Sequence, residues 1–185
     1  MREWLAKLIY PDIFDKFDFK DESNKKLQKI RSDLQHEMRK NEKIIELIGW
    51  VTKRGHILLN ITISRTGEPL VIYRSDLKSF DIYVEGIYGQ KYLTLMTHIS
   101  EEDKAIKIED IQCSEENANK GYGSIAMEEL FKYVHRFRYN RVYGRISSTD
   151  WDHVDRLEHF YNKFQLEVTL NHVSHTGKIV WRRDN

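Results

Sequence analysis

The chain has 185 residues, and its 30 Lys and Arg against 29 Asp and Glu leave a formal net charge of +1. That length allows one medium domain, or one domain with an extension. The balanced charge removes the simplest electrostatic case for a nucleic-acid or anionic-membrane binder, and 40% hydrophobic with 12% aromatic residues is enough to bury a core, which excludes general disorder.

The first 45 residues are charged, glycine-free and poor in β-branched residues, which is helix composition. A short segment, Arg2 to Tyr10, stops at Pro11, and a second begins near Asp21-Glu22-Ser23, where acidic residues and a serine suit a helix N-terminus. Leu27, Ile30, Leu34 and Met38 mark one face of that helix. The face either packs on its own domain or makes a homodimer through the N-terminal helix; the stripe is shorter than a firm coiled coil requires. The expected division is a helical extension, 1–45, and a domain, 46–185.

Whether Ile44 to Thr52 continues the helix or starts a strand is open from pattern alone. From there to Cys113 the period is two, with β-branched and aromatic residues between turns, so strands are expected at His56–Ser64, Leu70–Tyr73, Phe80–Ile87, Tyr92–Ile99 and Ala105–Cys113. The short connections imply antiparallel neighbours. The spacing of Ile125, Met127, Leu130, Phe131, Val134 and Phe137 then predicts a helix over about 121–139, with Asn140 as a left-handed cap. A strand at Arg141–Ser147, a helix near His153–Phe164 capped by Asp152, and strands near 166–171 and 178–182 complete the chain. One mixed sheet with helices on its faces is the economical architecture.

Single Cys113 cannot form an internal disulfide, the N-terminus lacks the parts of a secretory signal, and no apolar run approaches the ~20 residues of a membrane span. The expected location is cytoplasmic, with no membrane association and nucleic acid an unfavoured partner. The acidic run before His153 has no second ligand at i+3 or i+4, with His159 six residues on, and His172 and His175 fall on an expected hairpin, so no metal is expected. Trp181-Arg182-Arg183 at the last strand end suits either an anion or plain solubility.

The strongest local signal is Asn119-Lys120-Gly121-Tyr122-Gly123-Ser124, a loop that follows a strand and leads into a helix. Two glycines remove Cβ atoms that would hold an anion off the backbone, and the first helical turn offers unpaired N–H groups at the positive end of the helix dipole. A Walker loop needs four residues between its glycines and then Lys-Ser/Thr, which is absent. Gly121, Gly123 and Ala126 satisfy a dinucleotide pattern, but too little chain follows to build that fold.

The stretch from Ala105 to about Leu166 resembles the GNAT superfamily of acyl-CoA-dependent N-acyltransferases. Ala118-Asn119-Lys120-Gly121-Tyr122-Gly123 stands in the place of its Q/R-x-x-G-x-G/A motif, and Tyr161-Asn162-Lys163-Phe164-Gln165-Leu166 in the place of Y-x-K-x-G-F. Ala118, Val154, Gln165 and Leu166 depart from the family's usual residues. The resemblance implies an α/β (α+β) fold, GNAT-like, with a mostly antiparallel central sheet flanked by helices. It implies acetyl-CoA as acyl donor, an amine as acceptor, and N-acetyltransferase activity; a CoA-binding or interaction module without catalysis is the alternative.

In that family frame Asn119, Lys120, Gly121, Tyr122, Gly123 and Ser124 bind the diphosphate. A β-bulge near Glu109-Asp110 reconciles the opposite parities of Ile106/Ile108 and Ile111/Cys113, and frees an N–H near Ile111 or Cys113 to polarise the thioester carbonyl. Tyr161 is the expected proton donor and Glu109 the expected base, with Asp110, Glu85 and His98 as other carriers of that role. Cys113 reads as a small buried thiol, and Phe160 adjoins Tyr161 closely enough for a one-residue slip to exchange them.

Overall fold

The computed structural model describes residues 11–75 and 80–183, with side chains from Lys20 onward. The segment expected at Arg2–Tyr10 lies outside the described residues. Backbone contacts divide the chain into Met1–Lys43 and Ile44–Asn185.

Helix α1 (Pro11–Lys53) runs without a break through Asp21–Ser23, where the sequence suggests a start. Asp21 and Glu22 instead pair with Lys25 and Lys26 one turn later, at 2.8 and 3.7 Å, and acid-before-base pairs at this spacing favour a helix interior. Pro11 occupies the first position, where no N–H is needed. The ambiguous stretch Ile44–Thr52 is helix. Leu47 and Val51, one turn apart, are buried against Val71 and Tyr73, and left-handed Gly55 (φ 77°) turns the chain away.

Strands β1 (Ile57–Ile63), β2 (Pro69–Arg74), β3 (Ile82–Gly86), β4 (Lys91–Ser100) and β5 (Ala105–Gln112) follow as a meander. Then come α2 (Tyr122–Arg136), β6 (Arg141–Ile146), α3 (Val154–Asn162), β7 (Glu167–Asn171) and β8 (Thr176–Arg182). Among the described residues these eight strands form one sheet in the order β1-β2-β3-β4-β5-β6-β8-β7. All neighbours are antiparallel except β5 and β6. A parallel pair needs a crossover, which α2 supplies. The mixed, mostly antiparallel sheet is the architecture expected from the sequence.

Alternation along the strands sorts the core onto two faces. Ala126, Met127, Leu130 and Val134 of α2 pack on Ile72, Ile82, Leu95 and Ile106 of one face, and each of these fully buried side chains larger than alanine contributes about 1.5–3 kcal/mol. Val71 and Tyr73, of opposite parity, face Leu47 and Val51. No described helix is long and apolar enough to cross a membrane.

Three local expectations are corrected. The left-handed residue after α2 is Arg138 (φ 56°), not Asn140: the N–H of buried Tyr139 returns to the Val134 carbonyl at 3.0 Å and closes the helix earlier, while the Asn140 N–H goes to Lys104 at 2.7 Å. The Arg183 guanidinium donates to the carbonyls of Val134 and Tyr139, both at 3.1 Å, so it caps α2 rather than awaiting an external anion. Asp152 does not cap α3; a 3-10 turn, Ser148–His153, leads into the helix and His153 holds the cap position without a side-chain bond.

Gln165, standing where the resembled motif has glycine, adopts φ 61° just after α3. A side chain in that region is strained, so Gln165→Gly is expected to stabilise the protein by about 1 kcal/mol. Reversible urea unfolding checks this, with an unchanged or lowered midpoint as the opposing outcome.

Candidate functional site

The register between β4 and β5 steps from Met96↔Asp110 to Thr97↔Ile108, leaving Glu109 as the extra residue of a bulge. This is the bulge the parity change predicts. On its other edge β5 pairs with β6 only from Ala105↔Arg141 to Ile108↔Gly144. Beyond that point the two strands part, and Glu109–Gln112 has no partner on β6. At the last pair the backbones approach so closely that a Cβ on Gly144 would stand 2.9 Å from the Ile108 carbonyl oxygen.

After β5 a 3-10 turn, Glu115–Asn117, leads to the glycine loop. Asn119 (φ 61°) and Gly121 (φ 92°) are both left-handed, which turns successive N–H groups to one side. Among the described residues no oxygen of the chain accepts from the backbone N–H of Asn119, Lys120, Gly121, Tyr122, Gly123 or Ser124; the first amide of this helix to be paired is Ile125, with Gly121. The loop is held to the sheet by Tyr122, whose buried ring stacks on Tyr92 at 4.6 Å.

These residues open onto a cavity of about 430 Å³ that also touches Ile111 and Cys113 of the parted strand and its extension. Its cations come from elsewhere: Arg65 from the β1–β2 turn, and Arg156 and Lys163 from the α3 region. Among the described residues no carboxylate lines it. Lys163 Nζ donates to Ser124 Oγ at 2.9 Å, tying the two motif segments together. Arg65 lies against the face of Gly121, where a Cβ would meet its Nε at 3.1 Å, and a Cβ on Gly123 would meet the Phe160 ring at 3.3 Å. Lys120 is not on the wall; its ammonium donates to Asn117 Oδ1 at 3.3 Å. Arg65 and Arg156 escape sequence reasoning because neither belongs to the glycine loop or the Y-x-K-x-G-F-like segment.

Tyr161 lies in the hydrophobic core at 7% exposure, behind the cavity, while the wall position is taken by Phe160. Burial, reinforced by the charges of Asp150 and Asp110, pushes the Tyr161 phenol up to about 12, so it keeps its proton at neutral pH. Glu109 is exposed and its carboxylate holds Lys107 Nζ at 2.6 Å. Asp110 lines a second cleft that shares Leu93, Ile111 and Cys113 with the first cavity. Its Oδ1 accepts the N–H of Ile111 at 2.8 Å and its Oδ2 accepts from Gln112 at 3.1 Å. The Ile111 N–H is therefore taken by a neighbouring carboxylate, not left free as expected.

Glu85 is buried on the α1 side of the sheet, where its carboxylate accepts from Tyr73 Oη at 2.6 Å, and His98 is an exposed β4 residue; neither lines these cavities. Cys113 is exposed at the cavity wall, a correction to the buried thiol expected from sequence. Partial desolvation raises its pKa against the opposing charges of Lys120 and Arg156, so it is held as a thiol.

No protein-family profile matches the chain. The uncharacterised protein YocC of Bacillus subtilis is 40% identical over 82 residues, 44% of this chain and 48% of that protein, so the chain spans about half the length of the curated relative it matches. Solved structures similar to it include an acetyltransferase from Bacillus cereus, at 12% identity over 60% of this chain and 76% of that one with a TM-score of 0.48. A GNAT family acetyltransferase from Elizabethkingia anophelis with acetyl-CoA bound is 10% identical over 57% and 77% of the two chains, TM-score 0.46.

The Tyr161 shift has a thermodynamic consequence. A phenol ionises near 10 in the unfolded chain and near 12 here, so its contribution is complete below pH 10 and is lost as pH rises through the folded value. The expected loss is on the order of 2–3 kcal/mol. Tyr161→Phe should flatten the alkaline fall in stability, measured by urea unfolding from pH 9 upward; an equally steep fall would show that the phenol ionises freely in the folded state.

Proposed function

We propose that the chain binds acetyl-CoA through the Asn119–Ser124 loop and transfers its acetyl group to an amine. The observation that carries this reading is the run of six loop N–H groups with no acceptor among the described residues, beside a cavity that has three cations and, among the described residues, no carboxylate. Backbone amides at a helix N-terminus suit a diphosphate, and Gly121 and Gly123 keep the approach open. Fit is further supported by Arg65, Arg156 and Lys163, which would neutralise phosphate charge. Acetyl-CoA, when bound, supplies an acetyl thioester that an amine can attack.

The chain's own groups then have distinct tasks. Ile111 and Cys113 form the wall along which an extended ligand arm would lie, where β5 has parted from β6. Tyr161 holds a proton on Oη at neutral pH and is our assigned donor to a departing thiolate. The bulge brings two carboxylates to the opening. Glu109, the expected base, is engaged by Lys107, whereas Asp110 lines the cleft and is close enough to raise the Tyr161 pKa; in our reading Asp110 accepts the amine proton.

Calorimetry with CoA tests the binding half. Lys163→Gln is expected to weaken affinity about tenfold through loss of a charged contact, and Gly121→Val, strained at its positive φ and crowding Arg65, to abolish binding. Full affinity in both variants would refute the loop assignment. Thiol release from acetyl-CoA over an amine panel tests the catalytic half: Asp110→Asn and Tyr161→Phe should each lower kcat by about 10²-fold or more, with CoA affinity retained, and Glu109→Gln only slightly. A large loss for Glu109→Gln alone would return the base role to Glu109.

We also propose that α1 pairs with a second copy. Leu27, Ile30, Leu34 and Met38 are each more than half exposed along one stripe of α1, an apolar face that the same stripe of a second copy would cover. Light scattering should give a dimer mass that Ile30→Glu/Leu34→Glu reduces to the monomer. A monomer in both proteins contradicts the pairing.

A further inference from the structure

A second cationic site stands apart from the glycine loop, on β6 and β8. The register of this antiparallel pair sets Arg145 directly opposite Lys178 and Arg141 directly opposite Arg182. Like charges facing across a ladder destabilise a sheet. One pair is relieved locally, since Arg182 lies 3.6 Å from Glu167 and Arg141 covers the Tyr143 ring at 4.5 Å. Arg145 and Lys178 are both exposed, and among the described residues neither side chain has a carboxylate or other hydrogen-bond partner.

Both line a cavity of about 590 Å³ together with the hydroxyl residues Ser148, Thr169 and Thr176 and the amide of Asn171. Among the described residues no acidic residue lines it. Asn171 Oδ1 already accepts the N–H groups of Val173 and Ser174, at 3.0 and 3.1 Å, so the amide has its Nδ2 donor left for the cavity. Two unopposed cations, hydroxyls and an amide donor make a wall suited to an anionic group. The volume lies within the range of small-molecule pockets.

The place of the cavity in the fold links it to the opening in the sheet. Pairing between β5 and β6 ends at Ile108↔Gly144, and Arg145 is the next residue of β6. Arg145 therefore stands one residue's rise, about 3.3 Å along the strand, beyond the point where the strands part.

We infer that Arg145 and Lys178 bind a carboxylate or phosphate carried by the acceptor, so that the acceptor class is small amines bearing an anionic group. This rests on the acetyl-transfer reading for the word acceptor, but the anion site is measurable without it. Arg145 fixes the group through its planar fork, Lys178 adds charge, and the surrounding donors complete the hydrogen bonds. Binding relieves the cross-strand repulsion that the free protein carries.

Two arms test the inference. In the first, inorganic phosphate is titrated to millimolar concentration while the Arg145 side-chain Nε–H and the Lys178 backbone resonance are followed by NMR. Saturable shifts at both, absent from Arg145→Gln/Lys178→Gln, support the site; shifts confined to the Gly121 loop, or none, overturn it. The double variant removes a repulsion, so its thermal midpoint should be no lower than that of the parent, which guards against a folding artefact. In the second arm, acetyl transfer is compared for pairs differing in the anionic group: phosphoethanolamine with ethanolamine, and γ-aminobutyrate with butylamine. The anionic members should have roughly tenfold higher kcat/KM, a preference the double variant loses with the KM for acetyl-CoA unchanged. Equal turnover of both members overturns the acceptor class while acetyl transfer stands. Phosphate binding at Arg145 and Lys178 without turnover of any amine leaves the anion site standing and removes the transfer reading instead.

Discussion

Six consecutive amides, Asn119 to Ser124, find no acceptor among the described residues, and the loop that carries them faces a cavity, so their N–H groups are open to an external acceptor. The rest of the site is organised around that run. Left-handed Asn119 and Gly121 aim the groups, the Tyr122–Tyr92 stack fixes the loop on the sheet, and Lys163 crosses from the α3 region to Ser124. The cations beside the loop have no acidic neighbours in the cavity. A loop of this electrostatic character discriminates by charge and shape of an anion rather than by its chemical identity, which is why the phosphate-binding half of the proposal is separable from the acyl-transfer half.

The second constraint is the opening between β5 and β6. A parallel pair ordinarily continues as long as both strands do. Here the Glu109 bulge shifts β5 against β4, and after Ile108↔Gly144 the strand edge is unpaired. Gly144 permits the close contact at the apex, where a side chain would strike the Ile108 carbonyl. One extra residue in a strand thus produces three effects together: a parity change that keeps Ile106 and Ile108 in the core, a wall made of Ile111 and Cys113, and a cleft that contains Asp110. Tyr161 stands behind this cleft in the core, in a place where burial keeps its proton.

Much of this was legible from local pattern. The strand parities, the bulge, the crossover helix and the glycine loop each depend on residues a few positions apart, and periodicity reports such arrangements directly. Part of what escaped depends on contacts distant in sequence, and part on local choices that pattern leaves balanced. Arg65 reaches the loop from a turn more than fifty residues upstream, and Arg183 caps a helix that ends at Arg136. Phe160 and Tyr161 differ by about 100° around α3, too fine a distinction for an estimated helix phase, and packing put the phenylalanine on the wall. Asp21 to Ser23 looked like a helix start because acidic residues also serve interior pairs; the lysines four positions later decide between the two. The Lys107–Glu109 ion pair favours Asp110 over Glu109 in our proposal, and which of the two accepts the proton rests with the variants.

The account is tested most directly by the backbone amide resonances of Asn119–Ser124 during titration with CoA. It predicts large, saturable downfield shifts across that run, accompanied by smaller shifts at Ile111 and Cys113. Saturable binding that moves other parts of the sheet and leaves those six amides in place would contradict it.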